Sequence, residues 1–323
     1  GCVENLNFGT TPFQCIEKFR IFVAVKTERH NMKKTIIGLL FCLSGILYTS
    51  LPAGAGERLV VLYTNDTHSQ IEPLDNTQKN ADMGGVVRRK AIIDSIRAAE
   101  PHVLLVDAGD IVQGTPYFTL FKGKAEVTAM NIMGYDVCTF GNHEFDNGVE
   151  ALAEMVRQSN ADYVSANYDF SRTPLAGLVK PYVLKTFGKL KVGIFGLTVD
   201  PDGLIASDRC EGVQFTDPIE AANRTADQLR KEGADLVIAL SHLGYTKANE
   251  ADRLVTDPEL AAASADIDII IGGHSHTLID PKAIDSQPDP KTPYRIKNRD
   301  GKEVIITQTG STGAYFGKLT IEL

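Results

Sequence analysis

Five of the seven histidines follow closely after short apolar runs, in company with aspartate and asparagine. Asp66-Thr67-His68 comes after the run at 59–63, and Asp107-Ala108-Gly109-Asp110 after 103–106. Gly141-Asn142-His143-Glu144 comes after 137–140, Ser241-His242 after 236–240, and Gly272-Gly273-His274-Ser275-His276 after 267–271. In open α/β sheets, sites form outside the carboxyl ends of the strands. Five neighbouring strands of this kind deliver Asp66, His68, Asp110, Asn142, His242, His274 and His276 to one edge. Mixed imidazole and carboxylate donors suit Zn²⁺, Mn²⁺, Fe²⁺ or Co²⁺ better than Ca²⁺ or Mg²⁺ alone. Seven donors are too many for one tetrahedral zinc and suit two ions sharing a carboxylate. Such a pair can hold a bridging hydroxide and clamp a phosphoryl group during in-line displacement. No activated Ser or Cys motif is evident, so water is the expected nucleophile.

The elements that must position these donors are legible in the same periodicity. Valine-, isoleucine- and leucine-rich runs of strand length alternate with amphipathic stretches at 86–99, 149–157, 218–231 and 250–263. That alternation predicts βαβ units and a largely parallel sheet covered on both faces. The pieces at 182–187, 191–197, 294–297, 303–308 and 318–323 read as antiparallel strands, with Gly188-Lys189 and Asp300-Gly301 as hairpin turns. There is no internal repeat or linker after Ala55, and the three prolines of 287–293 mark a loop inside the domain.

Composition narrows the partners. The chain has 323 residues, 43% hydrophobic and 23% charged, and a formal net charge of −8, in keeping with a globular protein. Binding to a nucleic-acid polymer is disfavoured, because counterion release needs a surplus of Lys and Arg. Five cysteines do not make a disulfide-stapled scaffold, and Cys138 reads as a buried thiol. Residues 32–55 combine Met32-Lys33-Lys34, an apolar run at 36–48 and an Ala-x-Ala site at Ala53–Ala55, the pattern of a secretory signal. The apolar run is too short for a stable membrane span. A lipoprotein anchor at Cys42 is disfavoured by the short spacing from the lysines and by Phe41 before it. Residues 1–31 then read as an upstream extension, and 56–323 as one domain, secreted or periplasmic.

Asp-x-His, Gly-Asp, Gly-Asn-His-Glu, an isolated His and Gly-His-x-His, in this order, resemble the calcineurin-like metallophosphoesterases. Thr64-Asn65-Asp66-Thr67-His68, Gly109-Asp110 with Gln113-Gly114-Thr115-Pro116, and Gly141-Asn142-His143-Glu144-Phe145-Asp146 resemble the 5′-nucleotidase branch more narrowly. The likeness covers nearly all of 58–323. It implies an α/β fold of two stacked mixed β-sheets flanked by helices, a four-layer α/β/β/α sandwich. It also implies that Asp66, His68 and His276 bind one divalent ion, that Asn142, His242 and His274 bind a second, and that Asp110 bridges them. His143 would contact the phosphate or leaving group, oriented by Asp146, and Asn142 and His143 together would bind substrate.

The function so implied is an exported phosphohydrolase of nucleotide catabolism, cleaving nucleotide monoesters by attack of a metal-bridging hydroxide. Cyclic phosphodiesters and nucleotide-sugar pyrophosphates are alternative substrates. 5′-Nucleotidases of this type carry a second domain that stacks the base, and nothing after His276 offers a second core. A truncated sequence, a separately encoded C-terminal domain without which the metal-bearing subunit is inactive, and a stand-alone phosphoesterase all stay open.

Simpler roles stand beside these. Asp66 reads as a ligand rather than a loop cap, and His242 as a ligand rather than a core histidine. Asp107 and Glu144 read as supports behind the ligands. Asp146 is also placed to cap a helix starting near Gly148. Gly114 and Gly273 read as points of close backbone approach. His102 is assigned to the surface, and Tyr117 and Phe118 either touch substrate or pack in the core.

Overall fold

The computed structural model describes residues 21–23, 58–78, 80–247, 254–279 and 294–322. The signal at 32–55, the extension at 1–31 apart from 21–23, the start of the 250–263 helix and the proline-rich loop at 287–293 lie outside the described residues. In chain order the first elements are β1 (Ile21–Val23), β2 (Arg58–Thr64), α1 (Val86–Ala99), β3 (Val103–Asp107), α2 (Pro116–Phe121), α3 (Lys124–Met133) and β4 (Val137–Cys138). A 3₁₀ turn at His143–Phe145 leads to α4 (Gly148–Gln158), β5 (Asp162–Val164), β6 (Tyr168–Asp169), β7 (Val179–Lys180), β8 (Tyr182–Phe187) and β9 (Leu190–Thr198). The rest are β10 (Gln214–Phe215), α5 (Pro218–Lys231), β11 (Leu236–His242), α6 (Asp257–Ala263), β12 (Ile269–Gly272), β13 (Arg295–Lys297), β14 (Glu303–Thr307) and β15 (Gly317–Glu322).

Two mixed sheets face each other. One has the order β1-β15-β2-β3-β4-β5-β7, the other β13-β14-β12-β11-β9-β8, and β6 and β10 form a separate pair. Alternation within each strand sends side chains to opposite faces. Leu59, Val61, Leu104 and Val106 of the first sheet meet Ile194, Ile238, Leu240 and Ile271 of the second in a shared core. The other face of the first sheet, with Val60, Leu62 and Leu105, packs on Ile93, Met130 and Leu152 of α1, α3 and α4. The other face of the second, with Val237, Ala239 and Ile270, packs on Ala226, Leu229 and Leu260 of α5 and α6. This is the four-layer α/β/β/α sandwich.

The single parallel sheet expected from periodicity is therefore replaced by two. β2, β3 and β4 lie in one sheet and β11 and β12 in the other. A continuous apolar run shows that both faces of a strand are covered, but a second sheet covers it as well as a helix does. β9 is antiparallel to β8, as the Gly188-Lys189 turn predicts, but it also pairs in parallel with β11, which the hairpin reading did not foresee. Helix ends follow local chemistry. Asp217 caps α5 by accepting the Glu220 amide at 2.9 Å, with Pro218 in the first turn. Thr256 and Glu259 close a capping box at α6.

Candidate metal centre

The loops after the strands are joined edge to edge. Asp66 N donates to Gly109 O, His68 N to Asp110 O and Ser69 N to Ile111 O, all at 2.9–3.0 Å, so the turns after β2 and β3 are laced together. From the second sheet, His274 N donates to Asp66 Oδ1 at 3.0 Å. Thr312 N donates to Asp66 O at 2.7 Å. Five donor residues hold left-handed backbone: Asp66 (φ 49°), His68 (48°), Asp110 (56°), His274 (70°) and His276 (53°). Such conformations are uncommon for residues with a Cβ and persist where the surroundings over-determine them. Here the crossed amide bonds do so, and they turn the side chains toward the seam between the sheets.

The donors fall into two groups. Asp66, His68 and His276 offer ligand atoms within 4.8 Å of one another, and so do Asp110, His242 and His274. Asn142 joins the second group, with its Oδ1 2.9 Å from His274 Nδ1. The groups adjoin, for Asp66 Oδ1 lies 3.4 Å from His276 Nε2 and 3.9 Å from His242 Nε2. Asp110 Oδ2 lies 3.0 Å from His242 Nε2, while its Oδ1 accepts the His143 amide at 2.9 Å.

These donors fit a pair of divalent ions. His242 is fully buried, and its Nδ1 donates to Ala108 O at 2.7 Å, yet its Nε2 has no aligned hydrogen-bond partner. His68 Nε2 and His276 Nε2 point at each other across 2.9 Å. Ring nitrogens so placed present lone pairs to a common point, as metal ligands do. Burial opposes ionisation of Asp110, but facing His242 and His68 hold its carboxyl well below the usual range. His242 is correspondingly pushed up to about 10, Asp110 outweighing the burial that opposes its charge. Burial, then the charge of His242, lowers His274 to about 4. Imidazole, carboxylate and amide donors of this kind suit Mn²⁺, Zn²⁺, Fe²⁺ or Co²⁺.

Beside the two groups, His143 Nδ1 pairs with Asp146 Oδ2 at 2.9 Å. That bond, against partial burial, raises the imidazole pKa. Asp146 does not cap α4, whose N-cap is Asn147 with no side-chain bond, because its carboxylate is engaged by His143 instead. Glu144 accepts the amides of Asp110, Ile111 and Gly141 and so ties two ligand loops together; burial pushes it up to about 7. Asp107 accepts from Thr64 Oγ1 and the Gly109 amide, and burial raises it likewise to about 7. A Cβ on Gly273 would lie 2.8 Å from His242 Nδ1, and one on Gly114 3.0 Å from His68 O. Tyr117 bonds Glu72 at an exposed position, whereas Phe118 packs against the helix-side core. His102 is half-buried with its ring against Phe187.

Sequence reasoning missed Asn65, Asp257 and Gln308. Asn65 Nδ2 donates to Asp66 Oδ2 at 2.6 Å and to Gly310 O at 2.8 Å, and its Oδ1 accepts from Thr309. Its place directly before Asp66 was the available signal. Asp257, wholly buried at the start of α6, accepts from Ser241 beside His242. Gln308 Nε2 donates to Gly273 O. Neither of these last two stands near a ligand in the sequence.

The calcineurin-like phosphoesterase family model matches residues 59–278. A 5′-nucleotidase of Bos taurus is 37% identical over 283 residues, covering 84% of this chain and 47% of that protein. Among solved structures, a 5′-nucleotidase precursor from Thermus thermophilus superposes with TM-score 0.70 at 37% identity, covering 81% of this chain and 51% of the other. An NAD nucleotidase of Haemophilus influenzae gives 0.69 at 32% identity, covering 81% and 52%. The chain thus spans about half the length of these relatives.

Proposed function

The chain belongs to the calcineurin-like phosphoesterase family, and from that premise we propose that it is an exported, metal-dependent phosphohydrolase acting on nucleoside 5′-monophosphates. The observation that carries the reading is the meeting of two donor groups with a His143–Asp146 pair standing beside them. Two divalent ions, when bound, supply Lewis-acid activation of water and neutralise charge on a phosphoryl group. Asp66, His68 and His276 would hold one and Asn142, His242 and His274 the other, with Asp110 shared. Asn142 as a neutral amide limits the negative charge facing a phosphate.

The chain's own residues do the remaining work. Asp146 accepts from His143 Nδ1, which fixes the tautomer and leaves Nε2 as the outward donor. With its pKa raised, His143 stays protonated further toward neutral pH and donates that proton to the leaving oxygen. The His143 amide, bonded to Asp110 Oδ1, keeps the acid in register with the metal groups. The 5′-nucleotidase relatives support the substrate class, and the signal pattern at 32–55 supports export. Among the described residues no helix is long and apolar enough to cross a membrane.

The test is hydrolysis of AMP and of a chromogenic aryl phosphate by purified protein with Mn²⁺, with and without chelator. Chelator-sensitive release of phosphate from both is expected. The same assay separates a second reading, a metal-bearing subunit that acts only with a separate nucleotide-binding domain. Cleavage of the aryl ester but not AMP would point to that reading. Cyclic phosphodiesters and nucleotide-sugars belong in the same assay as competing substrates.

A further inference from the structure

Behind the laced turns, away from the donors, lies a cavity of about 20 Å³ lined by Thr67, Ser69, Arg89, Ile111, Glu126 and Met130, among others. Three of its polar side chains are nearly sealed from solvent: Ser69 at 1%, Glu126 at 3% and Arg89 at 5% exposure. Ser69 Oγ, Arg89 Nη2 and both carboxylate oxygens of Glu126 are buried without a hydrogen-bond partner. A guanidinium of α1 and a carboxylate of α3 thus share one small space without a direct hydrogen bond between them. A carboxylate and one guanidinium nitrogen buried without hydrogen-bond partners are strongly unfavourable. The space is neutral overall, which disfavours a lone cation or anion. Its volume exceeds the roughly 10–15 Å³ one water needs, and its walls offer the two to four polar partners that hold buried water.

The cavity touches both ligand turns. Ser69 and Thr67 flank His68, and Ile111 follows Asp110. The guanidinium also abuts the loop that holds Asp66: a Cβ at Gly313 would overlap Arg89 Nη2, and neighbouring Thr312 N donates to Asp66 O. We propose that Arg89, Glu126 and Ser69 form a water-bridged charge pair that positions the Asp66–His68 turn for metal binding. The three are positioning residues; none contacts the donors' metal-facing atoms. The inference rests on the two-ion reading above.

The test titrates Mn²⁺ into chelator-stripped protein by calorimetry and follows thermal unfolding of the stripped protein. Glu126→Gln keeps the shape and removes the charge. It should lower the unfolding midpoint and weaken one of the two Mn²⁺ sites by about 10-fold, the low end for groups that support metal ligands. Arg89→Met combined with Glu126→Met removes both charges. Its midpoint should recover, because apolar replacement of a buried pair is often neutral or better, while the weakened Mn²⁺ site stays weak. High Mn²⁺ should then restore kcat. Wild-type affinity at both sites in the double variant would reduce the pair to packing and overturn the proposal. Should the double variant fail to fold, wild-type affinity in Glu126→Gln overturns it equally. A high-resolution crystal structure with no ordered water between Arg89 and Glu126 would remove the bridge. Binding of fewer than two Mn²⁺ by the wild type would instead remove the two-ion premise, and the proposal with it.

Discussion

His143 and Asp146 lie three residues apart and meet through Nδ1 and Oδ2 at 2.9 Å, while the backbone amide of the same histidine is bonded to Asp110. One residue therefore connects a metal-facing carboxylate to a proton-holding pair. Replacing the ring should separate chemistry from metal binding. His143→Ala should lower kcat by about 10²–10⁴, as removal of a positioned acid does, with metal content unchanged by elemental analysis. Loss of metal would show that the ring is itself a ligand.

Asp146→Asn addresses the proton more finely. The pKa of His143 is raised chiefly by the bond to Asp146. An acid that must be protonated loses activity as pH rises through its pKa, so removing the support should shift the alkaline limb of the rate profile to lower pH. An unshifted limb would assign that limb to another group.

Asp110 faces both metal groups' neighbourhoods, with His242 Nε2 at 3.0 Å on one oxygen. Asp110→Asn should reduce bound metal to one ion or none. Retention of two, measured by elemental analysis, would exclude a bridge.

Gly141 tests the packing of this region. An added Cβ would overlap Asp110 Oδ1 and come within 2.6 Å of His242 Nε2. Gly141→Ala should destabilise the fold by about 1–3 kcal/mol, as overpacking does, and lower metal occupancy. Denaturant unfolding with parallel metal analysis checks both.

Asp257 carries a pH signature. Burial raises its pKa from 3.8 to about 8 in the folded protein. Below pH 4 folded and unfolded states both hold the proton; between about 4 and 8 only the folded state does, so this group withdraws stability as pH rises across that window. Asp257→Asn should flatten the decline by a few kcal/mol, read by urea unfolding of the chelated protein at pH 5 and pH 8. Parallel curves for the two proteins would contradict the assignment.

Helices α1 and α5 match the ranges read from apolar spacing: α5 starts at an Asp-Pro cap and buries Ala222, Ala226 and Leu229 along one face, while α1 sets Ile93 in the core with Val86 and Ile96 packed against it. The nine candidate site residues could be picked out because each comes after an apolar strand run. α2 and α3 were not. α2 has six residues and leaves Leu120 and Phe121 exposed, so its apolar content does not mark a buried face. α3 mixes Thr128, Asn131 and Ile132 into its turns. The short strands β5, β6 and β7 have two or three residues each, below what alternation can mark. The left-handed backbone of the ligands was equally hidden, because it arises from bonds between distant loops and not from glycine.

Each donor group draws on both sheets: Asp66 and His68 follow β2 while His276 follows β12, and Asp110 and Asn142 follow β3 and β4 while His242 and His274 come from β11 and β12. Cations seated there would act as rivets through the sandwich. Global unfolding must then release them, so resistance to heat becomes a function of free metal, rising by about 1.4 kcal/mol for every tenfold increase above the dissociation constant of each ion. For this architecture, metal supply would govern how long the protein lasts as well as how fast it works.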